Sequence, residues 1–334
     1  MRRITIGTRA SKLAMIQTEL VCQQLHQQWP DLDIVIEQIH TTGDRVTNVP
    51  LSKIGSEGVF VTEIERALQE RRIDLAVHSL KDLPTAQPEG LRLVILGPRE
   101  DARDVFISKS EFQLVSGRLV PTQEVQKTPL RVGTCSLRRS AQIRMQYPDA
   151  EILSLRGNVD TRLRKLEAGL YDGIVLAAAG LHRMELPAQL AGRVTYFPID
   201  LMMPAPGQGA LALELRDEPA LNALLDPLND RAVQAATTAE RTFMRRLGAG
   251  CYLPVAAYGE ITDEYLTLQG LVISLDGKRQ VRVQQRMFWT EETRLESVEA
   301  LGIRAAEQAL AEGADAIIQA LEDSREREQE RQRV

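Results

Sequence analysis

A group of ionisable and hydroxyl side chains follows directly after a short apolar run near residue 80. The run Leu75–Val77 is typical of a buried strand, and His78, Ser79, Lys81 and Asp82 come after it. Open α/β sheets bind ligands beyond the carboxyl ends of their strands, and so many polar groups cannot be buried without partners. A carboxylate placed there can stabilise a developing positive charge or assist a proton transfer. A solvated loop after a strand would show the same pattern.

A second set of residues suited to chemistry lies at predicted junctions between strands and helices. Arginine binds carboxylates and phosphates through two parallel hydrogen bonds, and helix N-termini favour the same anions. The set consists of Arg138, Arg139, Arg156 and Arg162, with Arg9 and Ser11 at the first such junction of the chain. In an acidic chain this clustering predicts a focused anion site. Salt-bridged surface helices are the alternative interpretation.

The third candidate is Cys251, which follows a predicted long helix and a glycine-rich turn. Gly248 and Gly250 precede it, so we expect the thiol on a loop and not inside a core. A lone cysteine is more often buried and inert, so spacing alone leaves both a reactive and a structural role open. Cys22, within a predicted helix, and Cys135, beside a predicted strand, are expected to be packed.

The elements that must position these residues alternate between strand and helix. Such a rhythm predicts a largely parallel sheet covered by helices on both faces. A second unit with the same rhythm begins near residue 103, and Ile6–Thr8 of the first unit is echoed by Val132–Thr134 of the second. The predicted strands are Arg3–Gly7, Ile34–Ile39, Leu75–Val77, Arg131–Gly133, Ile152–Leu155 and Ile174–Ala177, and the predicted helices are Ser11–Trp29, Thr62–Glu70, Leu137–Tyr147 and Val159–Gly169.

From about residue 230 the pattern changes to that of a smaller α+β domain. A long helix, Arg231–Leu247, precedes three strand-like runs, and a final helix covers about Glu296–Leu321. The Pro/Gly-rich segment Met203–Gly209 is typical of a connector between lobes. The predicted domains are a first α/β lobe (1–102 and 205–228), a second, arginine-rich α/β lobe (103–204), an α+β domain with the candidate cysteine (229–322), and a charged tail (323–334) that is expected to be frayed or disordered.

The composition argues against several classes of protein. Acidic residues outnumber basic ones, 46 to 41, and a net charge of −5 argues against a broad nucleic-acid-binding surface. Neither an apolar leader nor a run of about 18 apolar residues is present, so no signal peptide or transmembrane helix is expected. Only 3 cysteines and 4 histidines occur, which predicts a reducing, cytoplasmic location and no metal site. No P-loop or GxGxxG motif supports a nucleotide site.

Seven segments, in this order along the chain, together resemble the porphobilinogen deaminase family. Each segment alone is weakly specific, but the ordered set covers nearly the whole chain. The segments are Gly7–Ser11, Thr42–Asp44, Asp74–Asp82, Gly133–Arg139, Leu155–Val159, Pro206–Gly209 and Gly250-Cys251.

The resemblance implies a fold and a reaction. Two lobes similar to those of periplasmic binding proteins would enclose an active cleft, and the α+β domain would carry a covalent dipyrromethane cofactor on a thioether to Cys251. Four porphobilinogen molecules would be added to this primer, each losing ammonia, before hydrolysis releases hydroxymethylbilane. Each pyrrole ring bears an acetate and a propionate, which would explain the arginines. The cationic azafulvene left by ammonia would need a carboxylate such as Asp82.

Matching positions imply roles for individual residues. Asp82 would be catalytic and would also contact the cofactor. The cofactor-binding residues would be Cys251, Lys81, Ser136, Arg138 and Arg139, and the substrate-binding residues would be Arg9, Ser11, Arg156, Arg162, Arg183 and Phe60. Glu57 stands where many relatives have a lysine, so Gly55–Gly58 is expected to be a lid without a charge contact. The segment Ser110–Lys127 is expected to be a surface insertion.

Two other functions compete with this interpretation. A two-lobed binding module could hold a small dicarboxylate without chemistry, since lobe architecture does not fix function, but it would leave the third domain and its cysteine unexplained. A nucleic-acid-binding protein could use the arginines of the second lobe, although the net charge argues against it. In either enzyme or binding module the partner would be a small molecule, with no membrane and no nucleic acid, and a monomer is expected.

Overall fold

The molecule contains three bodies, each built around its own β-sheet. The computed structural model of the chain describes residues 3–41, 61–121, 129–248 and 253–333. Within these ranges two sheets have five strands each, a third has three, and a two-stranded hairpin stands apart. No helix of the described ranges is both long and apolar enough to cross a bilayer. Strands and helices are numbered below in chain order.

Lobe 1 is a mixed sheet whose central strands are buried on both faces. Its strands are β1 (Arg3–Thr8), β2 (Asp33–Gln38), β3 (Leu75–Ser79), β4 (Leu91–Leu96) and β12 (Leu211–Arg216), and its helices are α1 (Lys12–Gln28), α2 (Thr62–Gln69) and α6 (Pro219–Leu225). The strand order is β2-β1-β3-β12-β4. Strand β1 pairs in parallel with β2 and β3, whereas β12 pairs antiparallel with β3 and β4. Burial on both faces explains why β3 and β12 are almost continuously apolar.

Lobe 2 repeats this topology. Its strands are β5 (Asp104–Ser108), β8 (Arg131–Gly133), β9 (Glu151–Leu153), β10 (Gly173–Ala177) and β11 (Val194–Tyr196), its helices are α3 (Leu137–Gln146), α4 (Val159–Glu167) and α5 (Ala178–Arg183), and β6 (Phe112–Val115) and β7 (Arg118–Pro121) form the separate hairpin. The order β9-β8-β10-β5-β11 matches lobe 1 strand for strand, with β5 antiparallel to β10. The echoed motifs therefore lie on equivalent strands, β1 and β8.

The prediction of largely parallel sheets is confirmed for strand direction, since four of the five strands in each lobe run the same way, but both sheets are mixed. In each lobe one antiparallel strand follows a connection from the other lobe: β5 in lobe 2 and β12 in lobe 1. Such a strand is not preceded by the strand–helix–strand sequence pattern that predicts a parallel neighbour. Strands β5 and β12 were therefore absent from the predicted elements, as were the edge strands β4 and β11, although the α/β class itself is confirmed.

Two connections join lobe 1 to lobe 2, one around Glu100 and one around Gly209, and they touch each other. The Nε of Arg99 donates to the carbonyl of Gln208 at 2.9 Å, and the amide of Glu100 donates to the carbonyl of Gly209 at 3.2 Å. Gly209 has a φ of +92°, and a Cβ at this position would lie 2.2 Å from the carbonyl oxygen of Glu100. Only glycine allows the two connections to approach this closely.

The C-terminal domain packs helices on one face of a three-stranded antiparallel sheet. Its strands are β13 (Val255–Thr262), β14 (Tyr265–Ile273) and β15 (Gln280–Phe288), and its helices are α7 (Arg231–Arg246), α8 (Leu295–Ala309) and α9 (Asp315–Arg333). The core is aliphatic apart from residues such as Phe243 and Trp289. Strands β14 and β15 form a hairpin with its turn around Gly277.

The end of the chain differs from the prediction in two ways. The expected single helix is interrupted after Ala309, where Gly313 has a φ of +100° and breaks the helical backbone. The tail from residue 323, expected to be frayed or disordered, continues α9 to Arg333. An apolar face is therefore not needed for helix here, since the tail is rich in good helix formers such as glutamate, arginine and glutamine.

Candidate functional site

The candidate catalytic aspartate lies on a short turn at the carboxyl end of β3. A single turn of 3-10 helix, Leu80–Asp82, follows the strand. Leu80 and Leu83 are buried on either side of Asp82, whose own side chain is exposed. The amide of Leu83 donates to the carbonyl of Leu80 at 3.2 Å. The turn is thus held by its two leucines and presents the carboxylate outward.

Lys81, the neighbour of this aspartate, points into a cluster shared by both lobes. Its Nζ lies 3.3 Å from the Oε1 of Gln208, which belongs to the second connection between the lobes. Burial lowers the pKa of Lys81 to about 8, and the charges of Arg139 and Arg138 lower it as well, against the opposing effect of Asp82 and Asp104. The ammonium is therefore easier to deprotonate than that of an exposed lysine, and a bound anion would favour its charged form.

The centre of the cluster is the buried carboxylate of Asp104, the first residue of β5. Its Oδ2 accepts from the Nη1 of Arg138 at 2.7 Å, and its Oδ1 accepts from the Nη2 and Nε of Arg139 at 2.7 and 3.1 Å. The Nε2 of Gln208 donates to the same Oδ1 at 3.0 Å. Although burial would raise it, the two guanidinium charges hold the pKa of the Asp104 carboxyl far below its usual range. Asp104 is therefore ionised whenever the protein is folded near neutral pH.

The two arginines make further contacts inside the protein. Arg138 also donates from its Nη1 to the carbonyl of Met203 at 2.6 Å, and Arg139 donates from its Nη1 to the carbonyl of Val175 at 3.0 Å. All three guanidinium nitrogens of Arg139 thus have partners within the chain, whereas both of these Arg138 contacts use one nitrogen. Ser136 is the N-cap of α3, and its Oγ accepts from the amide of Arg139 at 3.4 Å. The start of α3 is consequently fixed before any ligand binds.

The charges of this cluster suit an acidic ligand. Three cations, Lys81, Arg138 and Arg139, surround a single buried carboxylate, that of Asp104. One positive charge is balanced by Asp104, and a surplus remains beside the exposed turn of Asp82. A cofactor that carries several carboxylates fits this surplus, because buried charges need partners of opposite sign.

Arg162 lies near the same cleft. Burial lowers its pKa, as do the charges of Arg139 and Arg156, whereas Cys135 and Asp82 oppose the shift. The charges of Asp82 in lobe 1 and of Arg139 and Arg156 in lobe 2 are therefore all near enough to act on Arg162.

Local structure explains the orientation of Arg162. Asn158 is the N-cap of α4, and its side chain accepts from the amide of Thr161 at 2.9 Å. The Nε of Arg162 donates back to the carbonyl of Gly157 at 2.7 Å. The guanidinium therefore lies at the N-terminal end of its helix, where anions are favoured.

Other predicted residues lie elsewhere or make different contacts. Ser11 caps α1 by accepting from the amide of Ala14 at 3.3 Å, next to the half-buried Arg9. The Nη2 of Arg183 donates to the carbonyl of Gly209 at 2.7 Å. Burial lowers the pKa of Arg183 to about 10. Arg183 thus contacts the connection between the lobes, and its role with substrate stays a prediction.

The two cysteines of the described residues differ in exposure. Cys22 is half-buried in the core of lobe 1, and burial raises the pKa of its thiol. Cys135 is exposed, with its Sγ 3.2 Å from the Oγ of Ser154. The prediction that Cys135 is packed is wrong, because it lies on the loop after β8 and not within the strand.

Several predictions fall on residues that the structure does not describe. Cys251, Phe60 and Glu57 lie outside the described ranges, as do the segments Thr42–Asp44 and Gly55–Gly58. Their predicted roles as cofactor anchor, ring-stacking residue and lid stay predictions. The insertion expected from Ser110 is partly described, as the β6–β7 hairpin.

Sequence reasoning missed Asp104 and Gln208, which hold the cluster together. The stretch before Asp104 mixes acids and arginines, so it was interpreted as the start of a second unit and not as part of a site. Gln208 was noticed only within a connector. A useful signal was available: apolar Val105–Ile107 directly after Asp104 indicates a buried strand, and an acid at its start then needs cationic partners.

Comparison with known protein families matches two consecutive parts of the chain. Residues 4–222 match the family model described as "Porphobilinogen deaminase, dipyromethane cofactor binding domain". Residues 234–311 match the model described as "Porphobilinogen deaminase, C-terminal domain". The first match spans both lobes with the cationic cluster, and the second runs from within α7 to just past the end of α8.

Curated proteins are similar to the chain over nearly its full length. A porphobilinogen deaminase from Syntrophotalea carbinolica is 45% identical over 324 residues, which cover 96% of this chain and 96% of that protein. One from Geobacter sulfurreducens is 41% identical over 332 residues, 98% of each chain. Among solved structures, the periplasmic aliphatic sulphonate binding protein of Escherichia coli overlaps with a TM-score of 0.37 at 13% identity, covering 73% of this chain and 70% of that one.

Proposed function

The chain belongs to the porphobilinogen deaminase family, and on that premise we propose that it joins four porphobilinogen molecules head to tail into hydroxymethylbilane, with loss of ammonia. At the level of the family, the chain is a transferase of tetrapyrrole biosynthesis with a dipyrromethane cofactor binding domain. The number of substrates, the product and the residue roles are the proposal. It further includes work as a cytoplasmic monomer on a small-molecule substrate, without membrane or nucleic acid.

The observation that carries the proposal is the position of Asp82 beside a surplus of buried positive charge. Porphobilinogen carries an acetate and a propionate, and its growing chain gains two carboxylates with each addition. Lys81 is the neighbour of Asp82, Arg138 is bound to the buried Asp104 of the same cluster, and the charge of Asp82 acts on Arg162. The proposed reaction requires cations that bind the substrate carboxylates and a carboxylate that stabilises its positive charge. Both kinds of group are found at the Asp82 turn and its neighbours.

In this proposal the dipyrromethane cofactor is bound through a thioether to Cys251 and supplies the primer to which the substrate is joined. Lys81, Ser136, Arg138 and Arg139 hold its carboxylates, so that the fixed end of the chain does not leave between additions. Tethering turns each addition into a reaction between neighbours, which reduces the entropic part of the barrier.

Asp82 has two tasks in the proposal. Its carboxylate stabilises the positive charge that develops on the substrate as ammonia leaves. It also orients the pyrrole N–H groups and accepts or returns a proton. The exposed position of the side chain, on a turn fixed by buried leucines, supports both tasks because the carboxylate faces the ligand space while its backbone is held.

The remaining predicted residues bind substrate in the proposal. They are Arg9, Ser11, Arg156, Arg162, Arg183 and Phe60. Arg162 is supported best, because the charges of Asp82 and Arg139 both act on its guanidinium. For Arg9 and Ser11 the support is their place at the N-terminus of α1, in the lobe that carries Asp82.

The intact mass of the purified protein tests the cofactor. The folded wild type is expected to exceed the mass of its 37.3 kDa chain by two pyrrole units, and Cys251→Ser is expected to have the unmodified mass. A folded wild type of unmodified mass would contradict the proposal and favour a binding module for small dicarboxylates. Asp82→Ala should keep the extra mass but lose product formation, while Glu89→Ala, on the exposed loop of the same lobe, should form product normally.

A further inference from the structure

A residue of the C-terminal domain donates hydrogen bonds to the backbone of the turn that carries Asp82. Arg241, on α7, donates from its Nη2 to the carbonyl of Pro84 at 2.6 Å. Its Nη1 donates to the carbonyls of Leu83 and Leu80 at 3.1 and 3.4 Å. These three carbonyls bracket Asp82 in the chain, so one guanidinium fixes the backbone on both sides of the aspartate.

The geometry of these three hydrogen bonds requires arginine. The planar guanidinium presents five N–H donors in a rigid fork, which can reach carbonyls that point in different directions. A lysine ammonium is a point donor on a flexible stem and would satisfy fewer of them. The turn itself is a single 3-10 turn with one internal bond, from Leu83 to Leu80. The buried side chains of Leu80 and Leu83 and the bond from the Leu80 amide to the carbonyl of Ala210, at 3.0 Å, hold the start of the turn. The contacts of Arg241 add a hold on the backbone that leaves it, at Leu83 and Pro84.

Helix α7 is itself fixed to the connections between the lobes by the residue before Arg241. The buried carboxylate of Glu240 accepts from the Nη1 of Arg99 at 2.7 Å, from the amide of Gly207 at 2.6 Å and from the amide of Gly259 at 2.7 Å. Gly259 lies on β13 of the C-terminal domain. Glu240 and Arg241 are successive residues of α7. Through them the helix holds both the lobe connections and the Asp82 turn in fixed positions relative to each other.

The same helix leads toward Cys251. α7 ends at Arg246, and the cysteine follows shortly after in the sequence. We propose that Arg241 is a positioning residue: it ties the Asp82 turn to the domain that carries the cofactor anchor, and so sets where the carboxylate of Asp82 stands relative to the bound chain. The inference rests on the proposed function. Arg241 acts through the backbone of the turn, and it is assigned no contact with substrate.

The test compares Arg241→Met with Arg245→Met, a change of an exposed arginine on the same helix that faces Glu299. Both variants keep a long unbranched side chain. We expect Arg241→Met to carry the full cofactor mass, to keep its KM for porphobilinogen within about twofold, and to lose about 10- to 100-fold in kcat, the size expected for a displaced reactive group. Arg245→Met should match the wild type in all three.

Other results would overturn the inference. A kcat of Arg241→Met within about twofold of the wild type would show that these hydrogen bonds do not matter. A large rise in KM at unchanged kcat would assign Arg241 to carboxylate binding instead. Absence of the cofactor mass from Arg241→Met alone would make its role purely structural, whereas absence from the wild type and Arg245→Met would contradict the proposed function itself.

A conservative variant covers the case in which Arg241→Met fails to fold. Arg241→Lys keeps the charge and most of the stem, and it should recover only part of the lost kcat because it spans fewer carbonyls. Hydrogen exchange gives an independent readout. In Arg241→Lys the amide of Leu83 should exchange faster, while amides of β10 in lobe 2 should not change. Equal exchange at Leu83 in the wild type and the variant would contradict the positioning role.

Discussion

Asp104 illustrates what a buried carboxylate does for an anion site. It neutralises one of two adjacent arginine charges, aligns both guanidinium groups and, through Gln208, reaches the lysine beside Asp82. Without it, Arg138 and Arg139 would repel each other in a buried site before any ligand arrived. The site is therefore preorganised by a residue that offers nothing to a ligand directly.

Replacing Asp104 by asparagine keeps its shape and removes its charge. Loss of one partner from a buried ion pair leaves uncompensated charge, so we expect the free energy of unfolding to fall by about 3–5 kcal/mol. Urea denaturation of the variant and the wild type measures this. The control is Glu307→Gln, which breaks the half-exposed pair with Arg246 and should cost only about 0–1 kcal/mol. Equal, small losses in both variants would contradict the central role of Asp104.

Lys81 predicts a dependence of stability on pH. Its pKa in the folded chain is about 8, below that of an unfolded lysine, so between these two values the unfolded chain binds more protons at this site. The free energy of unfolding should therefore rise with pH across that window. Urea denaturation of Cys251→Ser at about pH 7.5 and about pH 9.5 measures the rise, which should shrink when Lys81→Met is added. An unchanged pH dependence would show that Lys81 is not the titrating group.

Sequence reasoning found Asp82 and not Asp104, for a physical reason. Asp82 follows an apolar strand directly, and the end of a buried strand is a position where exposed ligand groups occur. The place of Asp104 depends on contacts with Arg138, Arg139 and Gln208, which are distant in the chain. No local pattern reveals such partners, because they are brought together only when the lobes form.

At the scale of elements, the two connections that join the lobes approach each other closely at Gly209. Gly209 has a positive φ and lies against the carbonyl of Glu100. A side chain there is therefore unfavourable for two reasons, the backbone conformation and the lack of space. Gly90 has a positive φ as well, but the space around it is open. Comparison of Gly209 with Gly90 therefore separates the conformational cost of adding a side chain from its steric cost.

We expect Gly209→Ala to destabilise the protein more than Gly90→Ala. The left-handed conformation costs about 1–2 kcal/mol for either alanine, and Gly209→Ala adds a contact that the backbone must relieve by moving. Thermal unfolding of the two variants checks the order. Similar losses in both would mean that the connections can separate easily. A greater loss in Gly209→Ala, with reduced turnover, would show that their contact matters for function.

Elements were predictable from sequence to different degrees. Helices with clear caps, such as α1 at Ser11 and α3 at Ser136, begin where the sequence predicted. Strands β4, β5 and β12 were not predicted, because a single short apolar run does not reveal which strand it will join. The break in the last helix at Gly313 was also missed, although a glycine in a helical run is a recognised weak point.

At the scale of the whole molecule, the chain is acidic overall, but positive charges cluster between the two lobes. The chain has a net charge of −5, yet lysine and arginines gather where the lobes face each other. A general negative charge discourages non-specific binding of nucleic acid, while the cleft attracts a small acidic ligand. The sequence supported this division, because the arginines were concentrated at strand–helix junctions of one lobe.

The position of β12 has a consequence for how the protein is made. All five strands of lobe 2 lie between residues 104 and 196, so its sheet can close once that stretch has left the ribosome. Lobe 1 must wait for β12 at Leu211–Arg216, which fills the gap between β3 and β4. The lobe that is synthesised first is therefore completed second. Until then, the strand that leads to Asp82 lacks its second neighbour, and the turn that carries Asp82 is unfinished in the nascent chain.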